Sequence, residues 1–323
     1  MTTTKPVVLL AEELSPATIE ARLQSRLQLL TGGARDLPAR QQTLRGAIDL
    51  SYDLLNEAEQ MLFRRLAVFV SGCTLESVEA VGNAKEDLAL DVLDGMASLV
   101  DKSLLQQVEG SGGDSRFLML ETIREYGLEK LAASGDEPLT RRAHAAYCLV
   151  LAEEWALGDS GAEQPKEEDR FEVEHDNFRA ALEWLTATGN AEWGQRLGAA
   201  LFRFWERREY ISEGRDRLGK LLKLQGALPQ TKARALFAAG VLAAVQREFA
   251  SSNKAFIENL EITRKLGQKR DVAITLNALA VTIRDHGDVS GARAYLEECI
   301  AIWKELGDRV AVARTLSNLA TSP

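Results

Sequence analysis

The feature that most constrains the fold of this chain is a 40-residue repeat near its C-terminal end. The segments 233–240, 273–280 and 313–320 carry small and long apolar residues at corresponding positions, and between them Leu260 corresponds to Ile300. Small residues suit the places where the two helices of a hairpin approach closely, and long apolar residues suit packing against neighbouring hairpins. Because one hairpin cannot bury both of its faces, the repeat predicts a stack of helical hairpins.

A different pattern, between residues 40 and 133, predicts a small mixed domain. Helical stripes come first, and two short apolar segments, 104–108 and 117–119, follow with a glycine-rich loop between them. Such a loop between two short strands is a hairpin signal. Asn56, with Glu59 three residues later, can form a capping box and predicts the start of one helix. Helices followed by one terminal hairpin are the order of a winged-helix domain.

The helix before this hairpin bears on DNA binding, because winged-helix proteins that read bases place a late helix in the major groove. We predict this helix over residues 86–102. Its charged residues are almost all acidic, namely Glu86, Asp87, Asp91, Asp94 and Asp101 against Lys102. Phosphates would repel such a surface. The sequence therefore argues against direct nucleic-acid binding.

The length of the apolar runs and the few cysteines predict a cytoplasmic protein. The chain is 46% hydrophobic and 27% charged, with a net charge of -9. No apolar run approaches the roughly 20 residues that span a bilayer, and the first apolar run is too short for a secretory signal. Three scattered cysteines fit buried thiols rather than disulfides. His144 and Cys148 could share a helix face, but no further ligands stand near them, so we expect no metal site.

Several segments together resemble a known family. The segments 47–55 (AIDLSYDLL) and 59–69 (EQMLFRRLAVF) resemble the winged-helix entry of bacterial STAND-class signalling NTPases. These are relatives of the NB-ARC ATPases of plant immune receptors and apoptosome proteins. Segments 93–105 and 118–126 continue the resemblance. The motif EHDN at 174–177, with Phe204-Trp205 and Glu213-Gly214, is typical of the repeats that follow in bacterial ATPase regulators.

The resemblance implies an ATPase core, a winged helix and a repeat sensor in one protein. The core would need the phosphate-binding motif G-x-x-x-x-G-K-[ST], which no segment of this sequence matches. We therefore expect no enzymatic activity and no cofactor in this chain, with ATP or ADP held only by a linked ATPase domain. Relatives often have Met-His-Asp after the hairpin, where Met119-Leu120-Glu121 stands here. Leu120 cannot supply the histidine's contact with a nucleotide phosphate.

The expected fold is mainly α, with a winged-helix domain that carries one β-hairpin, followed by an α-helical solenoid of tetratricopeptide type. The chain has 323 residues, which is more than one hydrophobic core usually holds, so we expect several structural regions. They are a helical remnant of the ATPase-associated region at 1–39, the winged helix at 40–133, degenerate repeats at 139–230 and regular repeats at 231–323. The last regular repeat is expected to be incomplete.

The first helices of the repeat hairpins are expected to line a groove that binds a partner. By helical spacing, its candidate residues are Phe237, Val241, Asn277, Val281, Arg284 and Ser317. Asn277 is the most suggestive, because a side-chain amide can both donate to and accept from a peptide backbone. In the alternative interpretation, some of these side chains only pack against the next hairpin.

The leading functional interpretation is non-catalytic regulation. The repeats would bind a protein, a peptide or a small inducer, and the winged helix would relay that event to an ATPase or effector domain. One alternative is a stand-alone repeat adaptor that serves protein–protein interaction. A weaker alternative is a DNA-binding transcriptional regulator.

Overall fold

The computed structural model describes residues 44–110, 115–158, 169 and 171–320. The helices of these ranges are α1 (Leu44–Asp53), α2 (Glu57–Leu66), α3 (Leu75–Gly82), α4 (Val92–Asp101), α5 (Glu121–Ser134), α6 (Glu137–Gly158), α7 (His175–Ala187), α8 (Ala191–Arg207), α9 (Ile211–Leu221), α10 (Pro229–Val245), α11 (Phe249–Lys265), α12 (Lys269–Asp285), α13 (Val289–Glu305) and α14 (Arg309–Ala320). The strands are β1 (Cys73–Thr74), β2 (Gln106–Glu109) and β3 (Ser115–Leu118). The helix predicted within 1–39 and the tip of the predicted hairpin loop lie outside the described residues.

The described residues fall into two compact units. The first contains residues 44–110, 115–147, 169 and 171–180, and the second contains 148–158 and 181–320.

The first unit contains a three-stranded antiparallel sheet in the order β1-β3-β2. Cys73 of β1 pairs with Phe117 of β3, and Val108 of β2 pairs with Arg116 of β3. A short strand between the first helices, joined in the sheet by a later hairpin, is the winged-helix arrangement. The predicted hairpin is thus confirmed. The sequence did not indicate β1, because two residues give no period-two pattern.

The core of the first unit is closed by aromatic rings from three helices. Tyr52 of α1 lies edge-on to Phe63 of α2 and to Tyr126 of α5, with ring centroids 5.5 and 5.6 Å apart. The Tyr126 hydroxyl donates to the Asp49 carboxylate at 2.6 Å, so the buried ring keeps a polar partner. These contacts hold α1 and α5 against α2. Side chains of the sheet and of α4 belong to the same hydrophobic core.

The predicted capping box at the start of α2 is confirmed. The Glu59 amide donates to the Asn56 side chain, and the Asn56 amide donates to the Glu59 carboxylate, both at 2.9 Å. These two bonds satisfy donors that would otherwise lack partners at the helix N-terminus.

The predicted helix over 86–102 is wrong at its start, because α4 begins at Val92. Glu86 has a φ of 54°, which breaks a helix. Asp87 instead accepts a bond from Arg65, with 2.6 Å between Oδ1 and Nη1. Asp91 caps α4 and accepts from the amides of the next turn. Three of the predicted acidic residues therefore belong to a loop and a cap.

In the second unit, α10 with α11 and α12 with α13 form successive helical hairpins. Gly240 of α10 lies against the ring of Phe256 in α11, where an added Cβ would come within 2.6 Å of a ring carbon. At the corresponding position of the next hairpin, Ala280 is fully buried and clusters with Leu296. Small residues thus occur where the paired helices approach closely.

Each of these hairpins is also joined by a buried side chain from its second helix. The Asn259 amide donates to the carbonyl of Ala233 at 2.6 Å, and the Cys299 thiol donates to the carbonyl of Ala273 at 3.1 Å. Asn259 and Cys299 occupy the same repeat position, as do the two alanines. The fold class predicted from the sequence is confirmed: a mainly α chain with a winged-helix domain, followed by helical repeats. Among the described residues, no helix is long and apolar enough to cross a membrane.

Candidate functional site

The first helices of the repeats, α10, α12 and α14, present one accessible stripe each. On α10 the stripe contains Arg234, Phe237, Val241 and Val245, spaced three or four residues apart, and all are at least partly exposed. The flanking residues of α10, such as Leu236 and Leu242, are buried. Spacing of three and four places residues on one helix face. We call this surface, together with its equivalents on α12 and α14, the first-helix face.

The same stripe recurs on the next two first helices. On α12 it contains Ile274, Asn277, Val281 and Arg284, and on α14 it contains Arg314 and Ser317. Ile274 is 40% exposed, whereas its neighbours Val272 and Ala273 are buried. All six groove residues predicted from the sequence therefore lie on the first-helix face.

Side chains of the face contact each other and the neighbouring helix α8. The Asn318 amide of α14 donates to the Asn277 carbonyl oxygen of α12 at 2.9 Å. Phe237 of α10 lies edge-on to Phe202 of α8, with ring centroids 6.3 Å apart. Asn277 keeps its own amide donors for other partners, because the bond to Asn318 uses its oxygen.

Part of the face also serves packing. Phe237 and Val241 are half-buried and pack against the repeat core that includes Phe256 and Leu276. Arg284 forms an ion pair with the adjacent Asp285 at 3.2 Å. What remains accessible is a strip of apolar side chains, with an amide at its centre and cationic groups beside it.

A second candidate surface is the exposed side of α4, the helix that would meet DNA in a base-reading winged helix. Its exposed residues are Leu93, Asp94, Ala97 and Asp101, and Leu93 is 56% exposed. Base edges and phosphates are bound by Arg, Lys, Asn and Gln, and this face has none of them. The face is apolar and acidic.

The single lysine at the end of α4 is bound within the domain. The Lys102 ammonium donates to the Glu59 carboxylate at 3.1 Å and also to the Ser98 hydroxyl. Burial alone would raise the pKa of Glu59, but hydrogen bonds from Ser98 and the Asn56 amide, together with Lys102, lower it. A charged Glu59 holds Lys102 beside α2 rather than in front of α4.

The strands of the wing offer no accessible cation either. Arg116 is the basic residue of β2 and β3, and it is 7% exposed. Its guanidinium donates to the carbonyls of Ser71 and Gly72 and pairs with Glu174 at 2.6 Å. Leu120, which follows the hairpin, is half exposed and begins α5 without a side-chain cap.

Sequence reasoning missed the role of Asn177, which belongs to the EHDN motif. Its side chain accepts from the Val70 amide at 2.9 Å and donates to the Gly72 carbonyl at 3.1 Å. It also donates to Glu174, the partner of Arg116. The motif thus fixes the backbone that leads into β1. The resemblance had marked this motif, but nothing in its spacing pointed to residues 70–72.

No group of three or more potential metal ligands lies close together among the described residues. His144 is buried beside the ring of Phe69, with centroids 5.1 Å apart. Burial lowers the pKa of His144 to about 4, and a hydrogen bond with Asn177 opposes this shift. His144 is therefore a neutral core residue at physiological pH.

Relatives of this chain occur in mycobacteria. A "Putative HTH-type transcriptional regulator Rv0890c" of Mycobacterium tuberculosis is 34% identical over 292 residues, which are 88% of this chain and 31% of that protein. "Uncharacterized protein Rv0894" of the same organism is 38% identical over 126 residues, covering 39% of this chain and 32% of that protein. The chain thus spans about a third of the length of the curated relatives it matches.

Two solved structures are similar to the chain at low scores. BtubC from P. vanneervenii is 18% identical with a TM-score of 0.41, covering 56% of this chain and 80% of that chain. A Signal Transduction ATPase with Numerous Domains that carries a tetratricopeptide repeat sensor, from Pyrococcus horikoshii, is 14% identical with a TM-score of 0.36, covering 96% and 54%. These scores are too low to establish a shared overall fold.

The family match covers the winged helix itself. Residues 55–132 match the family of winged helix-turn-helix domains, and they include α2 to α4, the three strands and most of α5. The strand order β1-β3-β2 and the position of α4 before the hairpin agree with this match. The chain therefore contains a winged helix-turn-helix domain at residues 55–132.

Proposed function

We propose that this chain is a non-catalytic regulatory region. Its repeats bind a protein, a peptide or a small inducer, and its winged helix passes that event to a linked ATPase or effector domain through protein contacts. The observation that carries the proposal is the exposed face of α4, which has Leu93, Asp94 and Asp101 where a DNA reader would have basic or amide groups. An apolar side chain flanked by carboxylates suits a protein surface better than a phosphate backbone.

A DNA-binding measurement tests this proposal. We expect no binding of labelled duplex DNA at low salt, where phosphate attraction is strongest, by fluorescence anisotropy. As a matched control, the double variant Asp94→Lys/Asp101→Lys should gain salt-sensitive DNA binding, because it puts cations on the same helix face. Binding of duplex DNA by the unaltered chain, weakened steeply by added salt, would reject the proposal.

The second candidate function is DNA-binding transcriptional regulation. It is favoured by the match of residues 55–132 to winged helix-turn-helix domains and by the name of the mycobacterial relative. It requires a DNA contact away from α4, since the wing strands and α4 carry no accessible cation among the residues described. The anisotropy measurement separates the two candidates directly.

A binding measurement with an ATPase domain tests whether the winged helix contacts such a domain, as the proposal requires. We expect the chain to bind a separately expressed ATPase domain of a STAND-class relative, and Leu93→Asp to weaken that binding. Leu228→Asp is the matched control, because Leu228 is 59% exposed and lies in the second unit. If no ATPase domain binds while the repeats still bind partners, the chain is a stand-alone adaptor.

A further inference from the structure

Helix α6 carries exposed apolar side chains on one side only. Its inner side is packed, and Cys148 and Ala152 of that side are buried. On the opposite side Leu139, Val150 and Leu157 are 52%, 53% and 84% exposed. Single exposed apolar residues are ordinary on a protein surface, but several on the same side of one helix mark a place where something binds.

These side chains form a row along the helix. Leu139, the half-buried Ala146, Val150 and Leu157 follow each other at intervals of seven, four and seven positions. At 3.6 residues per turn, such positions fall within a sector of about 40° around the helix axis. Intervals of this kind are typical of helices that pack lengthwise against another helix. The outer side of α6 is therefore suited to a second helix.

The row is symmetric about position 148. Leu139 and Leu157 lie nine positions before and after it, and Ala146 and Val150 lie two positions before and after it. When two copies of a helix lie antiparallel about a two-fold axis, each contact between two different positions occurs twice. Leu139 then meets Leu157 of the second copy, and the small side chain of Ala146 leaves room for Val150.

The charges beside the row are complementary in the same arrangement. Arg142 lies six positions before 148, and Glu153 and Glu154 lie five and six positions after it. An antiparallel pair brings the Arg142 guanidinium next to these two carboxylates of the second copy, although Glu153 also pairs with Arg196 of its own chain at 2.7 Å. A parallel pair would place Arg142 against Arg142, and like charges repel. The charges therefore favour the antiparallel orientation.

We propose that the outer side of α6 joins two copies of this chain into a two-fold symmetric dimer, with the two α6 helices packed antiparallel. The second copy is the partner because one sequence supplies both halves of each contact. Leu139 packs against Leu157 at both ends of the row, and Ala146 packs against Val150 on both sides of its centre. The pairing needs neither a ligand in the repeats nor an ATPase domain, so its test is independent of the proposed function.

Sedimentation velocity of the full chain over a range of concentrations tests the dimer. We expect a reversible monomer–dimer equilibrium. Val150→Glu and Leu157→Glu should each raise the dissociation constant about tenfold or more, because each change acts at two symmetric contacts. Leu228→Glu is the matched control, since Leu228 is 59% exposed and lies outside α6, and it should leave the dissociation constant unchanged. Circular dichroism should show that all three variants keep their helices.

Disulfide formation between introduced cysteines tests the orientation, because the native cysteines are buried. Leu139→Cys and Leu157→Cys place thiols at opposite ends of the row, about 27 Å apart at 1.5 Å per residue. A mixture of the two variants should form crosslinked dimers under mild oxidation, whereas either variant alone should not.

Three results would reject the proposal. The first is a chain that stays monomeric at every concentration. The second is a dimer whose dissociation constant Val150→Glu and Leu157→Glu leave unchanged. The third is crosslinking of the Leu139→Cys and Leu157→Cys variants with themselves as readily as with each other.

Discussion

Arg116 of β3 and Glu174 form an ion pair with 2.6 Å between Nη1 and Oε1, and the two side chains are only 9% and 12% exposed. The pair joins the wing to the segment that enters α7, and Asn177 donates to the same carboxylate. A charge left without its partner in such surroundings is costly, because little water can reach it.

We therefore expect Arg116→Ala to lower the free energy of unfolding of the first unit by about 3–5 kcal/mol. Urea unfolding followed by circular dichroism would measure it. The exposed pair of Arg293 and Glu297 provides the control, and Arg293→Ala should cost about 0.5 kcal/mol or less. Similar losses for the two variants would contradict the structural role of Arg116.

Two glycines of α9 should respond in opposite directions to alanine. At Gly214 an added Cβ would lie 2.5 Å from the ring of Trp205, whereas at Gly219 nothing lies within 4 Å. We expect Gly214→Ala to destabilise the second unit by about 1–3 kcal/mol through overpacking. Gly219→Ala should stabilise it by up to about 1 kcal/mol, because alanine favours the helix. The unfolding temperatures of both variants test this prediction. Equal shifts in the two variants would contradict the close contact between Gly214 and the ring of Trp205.

Acid should destabilise the first unit through two carboxylates that neighbour Arg65. A hydrogen bond from Arg65 lowers the pKa of Asp87, and one from Lys85, with the nearby Arg65, lowers that of Asp136. A carboxyl whose pKa is lower in the folded state stabilises the fold above its unfolded pKa of about 3.9. That stability is lost as the pH falls through the folded pKa.

Urea unfolding at a series of pH values from neutral to acid would show this loss. Asp87→Asn and Asp136→Asn should be less stable at neutral pH and should show a flatter decline toward acid. Asp216→Asn, on the exposed surface of α9, should keep the original pH dependence. If both variants lose stability toward acid pH as steeply as the unaltered protein, Asp87 and Asp136 are not the carboxylates responsible.

The three cysteines should be unreactive in the native protein. Cys73, Cys148 and Cys299 are all buried, and burial raises the pKa of Cys73 to about 12 and also raises that of Cys299. The thiolate is the reactive form, so both effects slow reaction with a thiol reagent. We expect negligible labelling by a disulfide reagent in buffer and labelling of all three thiols in denaturant. Rapid labelling of a thiol in buffer would show that its surroundings open readily.

Local patterns predicted most of this architecture. The capping box at Asn56, the hairpin and the 40-residue repeat each depend on residues close in sequence or on a strict period, and each has a direct structural counterpart. The stripe from Phe237 to Val241 could be placed by helical spacing alone. These features arise from backbone geometry, which sequence spacing reports well.

The errors arose where a distant partner decides the conformation. The acidic run from Glu86 looked helical by spacing, but Arg65 binds Asp87 from α2 and holds that segment as a loop. The partners of Asn177, which are the Val70 amide and the Gly72 carbonyl, lie more than a hundred residues away in sequence. No local pattern carries that information.

The helical hairpins of the second unit touch chiefly their neighbours along the chain. Such an array melts like a one-dimensional lattice, in which an end can fray while the middle stays ordered. A ligand that bridges α10, α12 and α14 would couple three such sites and make them open together. Occupancy of the first-helix face could then be sensed as a change in unfolding cooperativity, without any domain having to rotate.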